Sequence, residues 1–399
     1  NKIASSKGNI TASELLLKDN GLVVGDQARK VLGLNPNAVG RFKRIMGTSE
    51  VVTISGQDYT PTELSALVLA ELKRVAETEV DELAEVVITI PANFSNEARA
   101  ATMAAAKTAG LDVKHLINEP TAAALHYAFK NGKSLDGIYA VYDLGGGTFD
   151  ISIIEIADSD VQVIASNGIA RLGGDDFDKE LIKLVQKKYL DETGEVLDDE
   201  LYTLTNAETD KIALSKKKKI VAGGDEQEVD GQQLFVTRTE FEEAISSLLA
   251  QAELTCEATL TESQVDKANI QGVILVGGST RMQCVANSAE RIFGHPPITT
   301  ENPDEAVALG AALYAAMKSD GANLSVVQKK AVSKVSVADV ANHFFGTIVF
   351  GELAGQEALT NSIIIKKGTK IPCSVTQSFY TVRENQTHVD CTVTQSANP

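Results

Sequence analysis

The chain has 399 residues, is 43% hydrophobic and 23% charged, and carries a formal net charge of −17. This length predicts two or more domains, and the composition is ordinary for a soluble globular protein. The strong acidity argues against a nucleic-acid-binding surface, and no apolar run reaches the roughly 18 residues that a membrane span needs. We therefore expect neither nucleic acid nor a membrane among the partners of this protein.

The four cysteines and five histidines are scattered along the sequence, without close pairs and without the spacing of a metal site. Disulfide frameworks and zinc sites need clusters of these residue types. The pattern predicts free thiols in a reducing compartment, so we expect a cytoplasmic protein.

The first third of the chain alternates strand-like and helix-like segments, which is typical of an α/β protein. Lys43 and Arg44 lie inside an apolar frame and, taken alone, predict a solvated helix face. Glu119 lies between a strand and a helix, where catalytic groups are common, but the same pattern fits an ordinary helix cap. Strands are predicted at 14–18, 22–24, 86–90 and 113–117, and helices at 26–32, 61–79, 96–109 and 122–129.

The most informative stretch is 141–155, where two strand-like runs flank three adjacent glycines. Asp143 lies at the end of the first run, and Thr148 and Asp150 begin the second. Glycines let backbone N–H groups approach a phosphate closely, and the neighbouring carboxylates suit a hydrated Mg²⁺. The stretch predicts a strand–turn–strand phosphate loop, although an ordinary hairpin with a flexible turn has the same local pattern.

Two later segments have the features of a ligand site. The helix predicted at 205–215 carries three polar side chains on one face. The strand predicted at 273–276 runs into two glycines and a serine, a geometry that lets a ligand approach the backbone.

From residue 335 the sequence changes to short alternating segments separated by turns, which predicts a β-rich second domain. We assign residues 1–318 to the first domain, 319–338 to a linker and 339–399 to the β-rich domain. Strands are predicted in the C-terminal part at 335–340, 344–350, 362–366, 375–382 and 388–395.

Six motifs, taken in order, resemble those of the seventy-kilodalton heat-shock (DnaK) chaperone family. They are ITIPANF (88–94), INEPTAAAL (117–125), YDLGGGTFD (142–150), LGGDDFD (172–178), VILVGGSTRM (273–282) and NPDEAVALGAA (302–312). The resemblance implies an α/β, actin-like ATPase with two lobes, RNase H-like halves around a nucleotide cleft, followed by the start of a peptide-binding β-sandwich. It also implies ATP or ADP and Mg²⁺ as cofactors.

The resemblance implies roles for the residues around the phosphates. Lys43 corresponds to the lysine that positions the attacking water, and Glu119 and Asp143 correspond to carboxylates around hydrated Mg²⁺. Thr148 and Asp150 correspond to the threonine and the acid that face the γ-phosphate. Phosphoryl transfer depends on charge neutralisation and an aligned water, which such groups supply. The predicted catalytic residues are Lys43, Glu119, Asp143 and Thr148.

The remaining implied contacts hold the nucleotide on its phosphate and adenosine sides. Pro91 and Arg99 resemble a proline switch and an arginine relay that report the state of the nucleotide. The predicted cofactor-binding residues are Gly145, Gly146, Gly147, Asp150, Gly173, Gly174, Glu208, Lys211, Ser215, Gly277, Gly278, Ser279, Arg281 and Asp304.

The sequence departs from the family pattern at several points. No DLGTT hairpin precedes the first residue, the peptide-binding part is short and no helical lid follows, so we expect a fragment of a longer protein. Asn93 occupies the place of an aromatic residue beside the proline switch, and His115 that of a basic residue that receives a J-domain partner. The segment 335–339 is less apolar than the family's linker. These departures predict weak coupling between nucleotide and peptide binding.

The leading hypothesis is an ATP-dependent chaperone that binds exposed hydrophobic peptide segments, with a J-domain protein and a nucleotide exchange factor as partners. The alternative is a divergent relative that holds nucleotide with little turnover and acts as an exchange factor or holdase. A sugar or acetate kinase of the same superfold is disfavoured by INEPTAAAL and by the β-rich tail. ATPase activity is expected of the intact protein and is left open for the fragment.

Overall fold

A computed structural model of the chain describes residues 10–18, 21–80, 83, 86–131, 136–157, 160–224, 229–299, 302–319, 324–332, 336–353, 355–396 and 398. These residues form a mixed α/β structure with one large sheet and several small ones. No helix among them combines the length and the apolar character that crossing a membrane requires.

The first part of the chain, residues 10–131, builds small sheets covered by helices. Its elements are β1 (Leu15–Lys18), β2 (Gly21–Val24), α1 (Asp26–Arg29), β3 (Ala38–Val39), β4 (Val52–Ile54), β5 (Gln57–Tyr59), α2 (Pro61–Ala76), β6 (Val86–Ile90), α3 (Asn96–Thr108), β7 (Val113–Asn118) and α4 (Glu119–Asn131). Strand β1 pairs antiparallel with β2 and β3, and β6 pairs parallel with β7. The strands and helices predicted here are confirmed, although α1 is shorter than predicted. A capping box begins α2, in which the Glu63 amide donates to Thr60 Oγ1 over 3.2 Å.

The second part, residues 136–319, contributes most of the large sheet. Its elements are β8 (Gly137–Leu144), β9 (Phe149–Ala157), β10 (Asp160–Ile169), α5 (Gly174–Thr193), α6 (Leu204–Leu214), β11 (Lys219–Val221), β12 (Phe235–Thr237), α7 (Arg238–Ala244), α8 (Ser246–Ser263), β13 (Ile270–Val276), α9 (Gln283–Phe293), β14 (Pro297–Thr299) and α10 (Ala306–Lys318). Alternate residues of β8 enter different core clusters, Tyr142 and Leu144 on one face of the sheet and Tyr139 and Val141 on the other. A strand buried on both faces is apolar throughout, which explains the continuous apolar run in the sequence.

The C-terminal part adds strands to the large sheet and builds a small sheet of its own. Its elements are α11 (Val326–Val332), β15 (Val337–Val340), β16 (Phe345–Leu353), β17 (Gln356–Ile365), β18 (Lys370–Ile371) and β19 (Val393–Gln395). The large sheet has the order β14-β13-β8-β9-β10-β15-β18, with Val337 of β15 opposite Val161 of β10. Strand β16 pairs with β17 and β19. The segment predicted as a linker thus carries a helix and ends within the large sheet, while the domain boundaries stay a prediction.

Two predicted C-terminal strands differ from the structure. The prediction at 375–382 is wrong, and within 388–395 only Val393–Gln395 is a strand. Alternating polarity makes an extended segment amphipathic, but a strand forms only where a neighbour offers backbone hydrogen-bonding groups. No β-ladder includes any described residue of 372–392, and Tyr380 is 94% exposed there.

Candidate functional site

The three-glycine turn joins β8 to β9, two central strands of the large sheet, at the end where β8 finishes. The amide of Gly145 donates to the carbonyl of Thr148 over 3.2 Å, and Asp143 lies directly opposite Asp150 in the antiparallel register. Asp143 is 8% exposed and Asp150 is 1% exposed. The hairpin therefore holds two carboxyl groups side by side beneath an exposed turn of glycine backbone.

The surroundings of these two acids disfavour their charged forms. Burial raises the pKa of Asp143 to about 7, with a further contribution from the charge of Glu119, while Lys43 acts in the opposite direction. Burial also raises the pKa of Asp150 well above its usual value, and the charges of Asp143 and Glu119 add to this. The amide of Asn93 donates to Asp150 Oδ1 over 3.2 Å and partly offsets the effect. When Asp143, Asp150 and Glu119 are all ionised, the cluster holds more negative charge than Lys43 neutralises.

A hydrated metal ion would offset the excess negative charge of this cluster. No group of three or more His, Cys, Asp or Glu side chains that could hold a metal ion occurs in the part of the chain that the structure describes. Mg²⁺ needs fewer protein ligands, because it retains several waters. Glu119 and Asp143 beside the glycine turn are suited to such an ion, since a cation would offset their repulsion.

Lys43 reaches this cluster from the first part of the chain. It lies in a short 3₁₀ turn, Phe42–Ile45, and its Nζ is 2.6 Å from Glu119 Oε1. Glu119 is the first residue of α4, directly after β7, so a strand end fixes its position. Desolvation acts to lower the pKa of Lys43, but the carboxylates of Glu119, Asp143 and Asp150 together outweigh it and raise the pKa. Lys43 is thus held as a cation beside the carboxylates.

The local pattern predicts that its neighbour Arg44 lies on a solvated helix face, and this prediction is wrong. The side chain of Arg44 is 10% exposed and pairs with Asp176. The partner is remote in sequence, so local polarity gives no sign of it.

These groups surround a cavity of about 330 Å³ between the first and second parts of the chain. Such a volume lies at the lower end of the range for small-molecule sites, roughly 300–1,000 Å³. The predicted site residues that line it are Lys43, Glu119, Asp143, Gly145, Gly146, Gly147, Thr148 and Glu208. Charged lining residues that the sequence did not reveal are Glu14, Arg29, Arg41, Arg44 and Asp175.

Further glycines pack directly against the three-glycine turn. A Cβ on Gly173 would lie 2.5 Å from the carbonyl oxygen of Gly146, and a Cβ on Gly277 would lie 2.5 Å from that of Leu144. The amide of Gly174 donates to the Gly145 carbonyl over 3.0 Å. Only glycine permits this close backbone packing. These residues support the turn from behind, and none of them lines the cavity.

Other predicted nucleotide contacts are engaged within the protein. Lys211 Nζ is 2.7 Å from Asp178 Oδ1 and donates to the Gly174 carbonyl over 2.9 Å. Ser279 Oγ donates to the Gly145 carbonyl over 2.9 Å. Ser215 Oγ donates to the carbonyl of Lys211, on its own helix.

Gly278, Arg281 and Asp304 lie together, apart from the cavity lining. Arg281 pairs with Asp304 at 2.7 Å, and a Cβ on Gly278 would lie 3.1 Å from Asp304 Oδ1. The predicted residues thus include a group that lines the cavity, a group that packs against its glycine wall, and the Gly278–Arg281–Asp304 group, which does neither.

Arg99 connects the site to the C-terminal part. It donates to Asn118 Oδ1 over 3.0 Å, and Asn118 Nδ2 donates to Asp339 Oδ2 over 2.6 Å. Asn118 immediately precedes Glu119, and Asp339 belongs to β15, which is paired with β10. A short chain of polar contacts therefore joins the carboxylate cluster to β15.

Comparison with known proteins places these features in a family. The Hsp70 protein family model matches residues 49–399 of the chain. The chain is 35% identical over 402 aligned positions to the chaperone protein DnaK of Mycoplasmopsis agalactiae, covering 98% of this chain and 64% of that protein. It is 33% identical over 395 positions to the chaperone protein DnaK of Mycoplasmopsis synoviae, covering 96% of this chain and 63% of that protein. The chain thus spans somewhat less than two thirds of these relatives.

Proposed function

This chain belongs to the Hsp70 family, and from that premise we propose that it acts within an ATP-dependent chaperone. ATP binding and hydrolysis would control its affinity for exposed hydrophobic peptide segments. The observation that carries the proposal is the cavity in which Lys43, Glu119 and Asp143 meet the three-glycine turn. This arrangement supplies backbone donors, a fixed cation and carboxylates, the groups that phosphoryl transfer requires.

The architecture proposed with this function is the actin-like ATPase fold, with two RNase H-like lobes around the cleft. Residues 1–318 would form this nucleotide-binding domain, residues 319–338 the linker, and residues 339–399 the start of the peptide-binding β-sandwich. The position of the cavity between residues 12–44 and 119–208 supports a cleft between two lobes.

Each cavity residue has a role in this proposal. The Gly145–Gly147 backbone would hold the phosphates, and Thr148 and Asp150 would face the terminal phosphate from the start of β9. Lys43, held by Glu119, would orient the attacking water. Glu119 and Asp143 would hold Mg²⁺ through water, and that ion when bound would neutralise phosphate charge.

The adenosine side is proposed for the bracing residues behind the turn. Gly173 and Gly174 would approach the nucleotide with their backbone, and Gly277, Gly278 and Ser279 would form the opposite wall. Glu208 lines the cavity and would contact the nucleotide from α6. The other members of this side are Lys211, Ser215, Arg281 and Asp304.

The proposed partners are hydrophobic peptide segments, a J-domain protein and a nucleotide exchange factor. The alternative is a relative that holds nucleotide with little turnover. Asn93 and His115 favour this alternative, because they replace residues that the family uses for signalling and for J-domain contact.

The proposal is tested on the full-length protein with ADP binding by calorimetry and single-turnover ATP hydrolysis, each with and without Mg²⁺. We expect Mg²⁺-dependent ADP binding and ATP cleavage that a J-domain protein and peptide accelerate. Tight nucleotide binding without cleavage would support the alternative. Failure to bind adenine nucleotide would refute both, and Lys183→Gln, on the exposed face of α5, serves as a matched control that should change neither measurement.

A further inference from the structure

Glu14 is an acid of the cavity wall to which the proposed function assigns no role. It immediately precedes β1 and lines the cavity together with Arg29, Arg41 and Glu208. Its Oε2 atom is buried and accepts no hydrogen bond from any residue that the structure describes. Leaving a buried acceptor unpaired is unfavourable, and most such atoms in folded proteins have a partner. Glu14 is therefore a candidate for a contact with a ligand.

The backbone fixes this side chain at the cavity wall. The Glu14 carbonyl accepts a hydrogen bond from the Gly25 amide over 2.9 Å, and the next two residues, Leu15 and Leu16, are buried in β1. Gly40 packs against the side chain, since a Cβ there would lie 2.9 Å from Glu14 Cγ. A larger residue at position 40 would displace the carboxylate. Glu14 is thus held in position before any ligand binds.

The cations around Glu14 leave its free oxygen available. Burial raises the pKa of Glu14, while the charges of Arg29 and Arg41 act in the opposite direction. Both arginines have other partners, because Arg29 pairs with Glu208 and Arg41 Nε lies 2.9 Å from Asp175 Oδ2. The two cations therefore favour the ionised form of Glu14 without donating a hydrogen bond to its Oε2 atom.

The neighbouring acid on this wall, Glu208, is already engaged. Arg29 Nε donates to Glu208 Oε2 over 3.2 Å, and Arg29 Nη2 donates to Glu208 Oε1. Glu14 Oε2 can accept a hydrogen bond from a ligand without the loss of such an internal contact. The last torsion of a glutamate side chain has a broad energy minimum, so the carboxylate can turn this oxygen toward the cavity.

The chemistry of a nucleotide identifies the matching donor. Phosphate oxygens only accept hydrogen bonds, whereas the ribose hydroxyls and the amino group of adenine donate them. The phosphates are proposed at the glycine turn, which lines the cavity, and the base beside Ser215 and Arg281, which do not. Glu14 lines the same cavity as the turn, so the ribose, which joins the phosphates to the base, carries the donor nearest to it.

We propose that Glu14 accepts a hydrogen bond from a ribose hydroxyl of the bound nucleotide and thereby selects ribonucleotides over deoxyribonucleotides. The proposal rests on the proposed function and adds a specificity-determining residue to it. Carboxylates of dinucleotide-binding proteins bind a ribose hydroxyl in the same way. A nucleotide that lacks the hydroxyl leaves the Glu14 carboxylate unpaired, so it binds more weakly.

The test compares the affinities of ADP, 2′-deoxy-ADP and 3′-deoxy-ADP for the full-length protein, measured by competition calorimetry. The unaltered protein should bind at least one deoxy analogue roughly 10- to 100-fold more weakly than ADP, the range for a hydrogen bond to a charged group. Glu14→Ala should bind ADP more weakly by a similar factor, yet bind that analogue within about threefold of the unaltered protein. The two losses should not add, because both remove the same hydrogen bond.

Glu14→Gln keeps an acceptor oxygen but removes the charge. Its preference for ADP over the deoxy analogue should lie between those of the unaltered protein and Glu14→Ala, since hydrogen bonds to neutral groups are weaker. Glu50→Ala is the matched control, because the Glu50 side chain is 55% exposed and pairs with the exposed Arg171. It should keep the preference of the unaltered protein.

Equal affinities of the unaltered protein for ADP and both deoxy analogues, within twofold, would overturn the ribose contact alone. An undiminished preference for ADP in Glu14→Ala would overturn it too, and Glu14→Gln carries the same test should Glu14→Ala fail to fold. Inosine diphosphate lacks the amino group of adenine. Loss of discrimination against it in Glu14→Ala, with the deoxy preference intact, would place Glu14 at the base and overturn the proposal. An unaltered protein that binds no ADP would overturn the proposal together with the proposed function.

Discussion

The two sides of the predicted nucleotide site differ in how they are built. On the phosphate side, Lys43, Glu119 and Asp143 come from separate strand ends or turns and face the cavity. On the adenosine side, Lys211 and Ser279 are hydrogen-bonded to the glycine segments that form the wall. The side chains on the phosphate side can contact a ligand without rearrangement, whereas those on the adenosine side must first give up their internal hydrogen bonds. Substitutions on the phosphate side should therefore lower the rate of hydrolysis. Substitutions on the adenosine side should lower stability and nucleotide affinity.

The largest effect is expected at Lys43. Lys43→Ala removes the cation that pairs with Glu119, and the proposed partner of that cation, the attacking water, matters only during the reaction. We expect kcat to fall by roughly 10²- to 10³-fold, as for the loss of one preorganised charge-stabilising group, with ADP affinity changed less than about threefold. Single-turnover hydrolysis and calorimetry on the full-length protein measure the two quantities.

Lys183→Ala is the control for Lys43→Ala, because Lys183 is exposed and pairs with Glu180 on its own helix, α5. Its kcat should match that of the unaltered protein. Unchanged turnover in Lys43→Ala would refute the role of Lys43, and a loss of ADP affinity as large as the loss of rate would make it a binding residue.

The next effect is expected on the adenosine side, at Lys211. Lys211→Met leaves Asp178 buried without its ion-pair partner, and breaking a buried pair typically costs about 3–5 kcal/mol. Burial raises the pKa of Asp178 to about 6 even in the presence of Lys211, so the acid can be neutralised at moderate cost. We therefore expect the free energy of unfolding of this domain to fall by the lower figure, about 3 kcal/mol. The free energy of unfolding is measured by a denaturant titration in which hydrogen exchange of the α6 amides reports the folded fraction.

A second variant separates stability from binding at this position. Adding Asp178→Asn to Lys211→Met removes the unpaired charge and should restore much of the stability, while ADP affinity stays reduced by about tenfold, or 1.4 kcal/mol. Recovery of ADP affinity in the double variant would show that Lys211 acts only as structural support. A stability loss below about 1 kcal/mol in Lys211→Met would show that the pair is worth no more than a surface one.

A smaller effect is expected where β15 joins the large sheet. Only Val161–Val337 and Gln162–Ala338 are paired between β10 and β15, and Asp339 adds the contact to Asn118. Asp339→Asn keeps the shape but removes the charge that faces Arg99. Allosteric coupling energies are typically about 1–3 kcal/mol, so losing one charged contact should reduce the ATP effect on peptide release by about threefold. Peptide off-rates with and without ATP measure it.

The segment formed by Ser336 and the start of β15 is weakly apolar and allows a second test of the coupling. Replacing Ser336, Val337 and Ala338 with leucine adds apolar area, at about 25 cal/mol per Å² when buried, and should enlarge the ATP effect. Glu352→Gln, on the exposed surface of β16, is the neutral control. A large ATP effect in the unaltered protein that the leucines do not increase would contradict the prediction of weak coupling.

Sequence reasoning succeeded where the signal is local. The strand–glycine–strand hairpin around Gly145–Gly147 depends on neighbouring residues, and it is present. The pairing of Arg44 with Asp176 joins residues far apart in sequence, so no periodicity reveals it. The wrong strand at 375–382 fails for the same reason, because alternation cannot tell whether a partner strand is near.

The smallest expected effect lies far from the cavity, at the capping box that begins α7. Glu240 accepts hydrogen bonds from the amide and hydroxyl of Thr237 and pairs with Lys188 at 2.6 Å. The Lys188 bond, supported by the Thr237 donors, lowers the pKa of Glu240 to about 2. Glu240→Ala should cost about 1 kcal/mol at pH 7, a cap-sized value kept low because the side chain is 38% exposed.

The lowered pKa of Glu240 also predicts how the stability loss in Glu240→Ala depends on pH. A carboxyl whose pKa is lower in the folded chain than in the unfolded chain stabilises the fold when it is ionised. The stability difference between the unaltered protein and Glu240→Ala should therefore be constant above about pH 5 and shrink as the pH falls through the unfolded value of about 4.3 toward the folded value. This stability difference is measured by hydrogen exchange of the α7 amides at pH 7 and at pH 4. A difference that grows on acidification would show that Glu240 acts through something other than its ionised carboxylate.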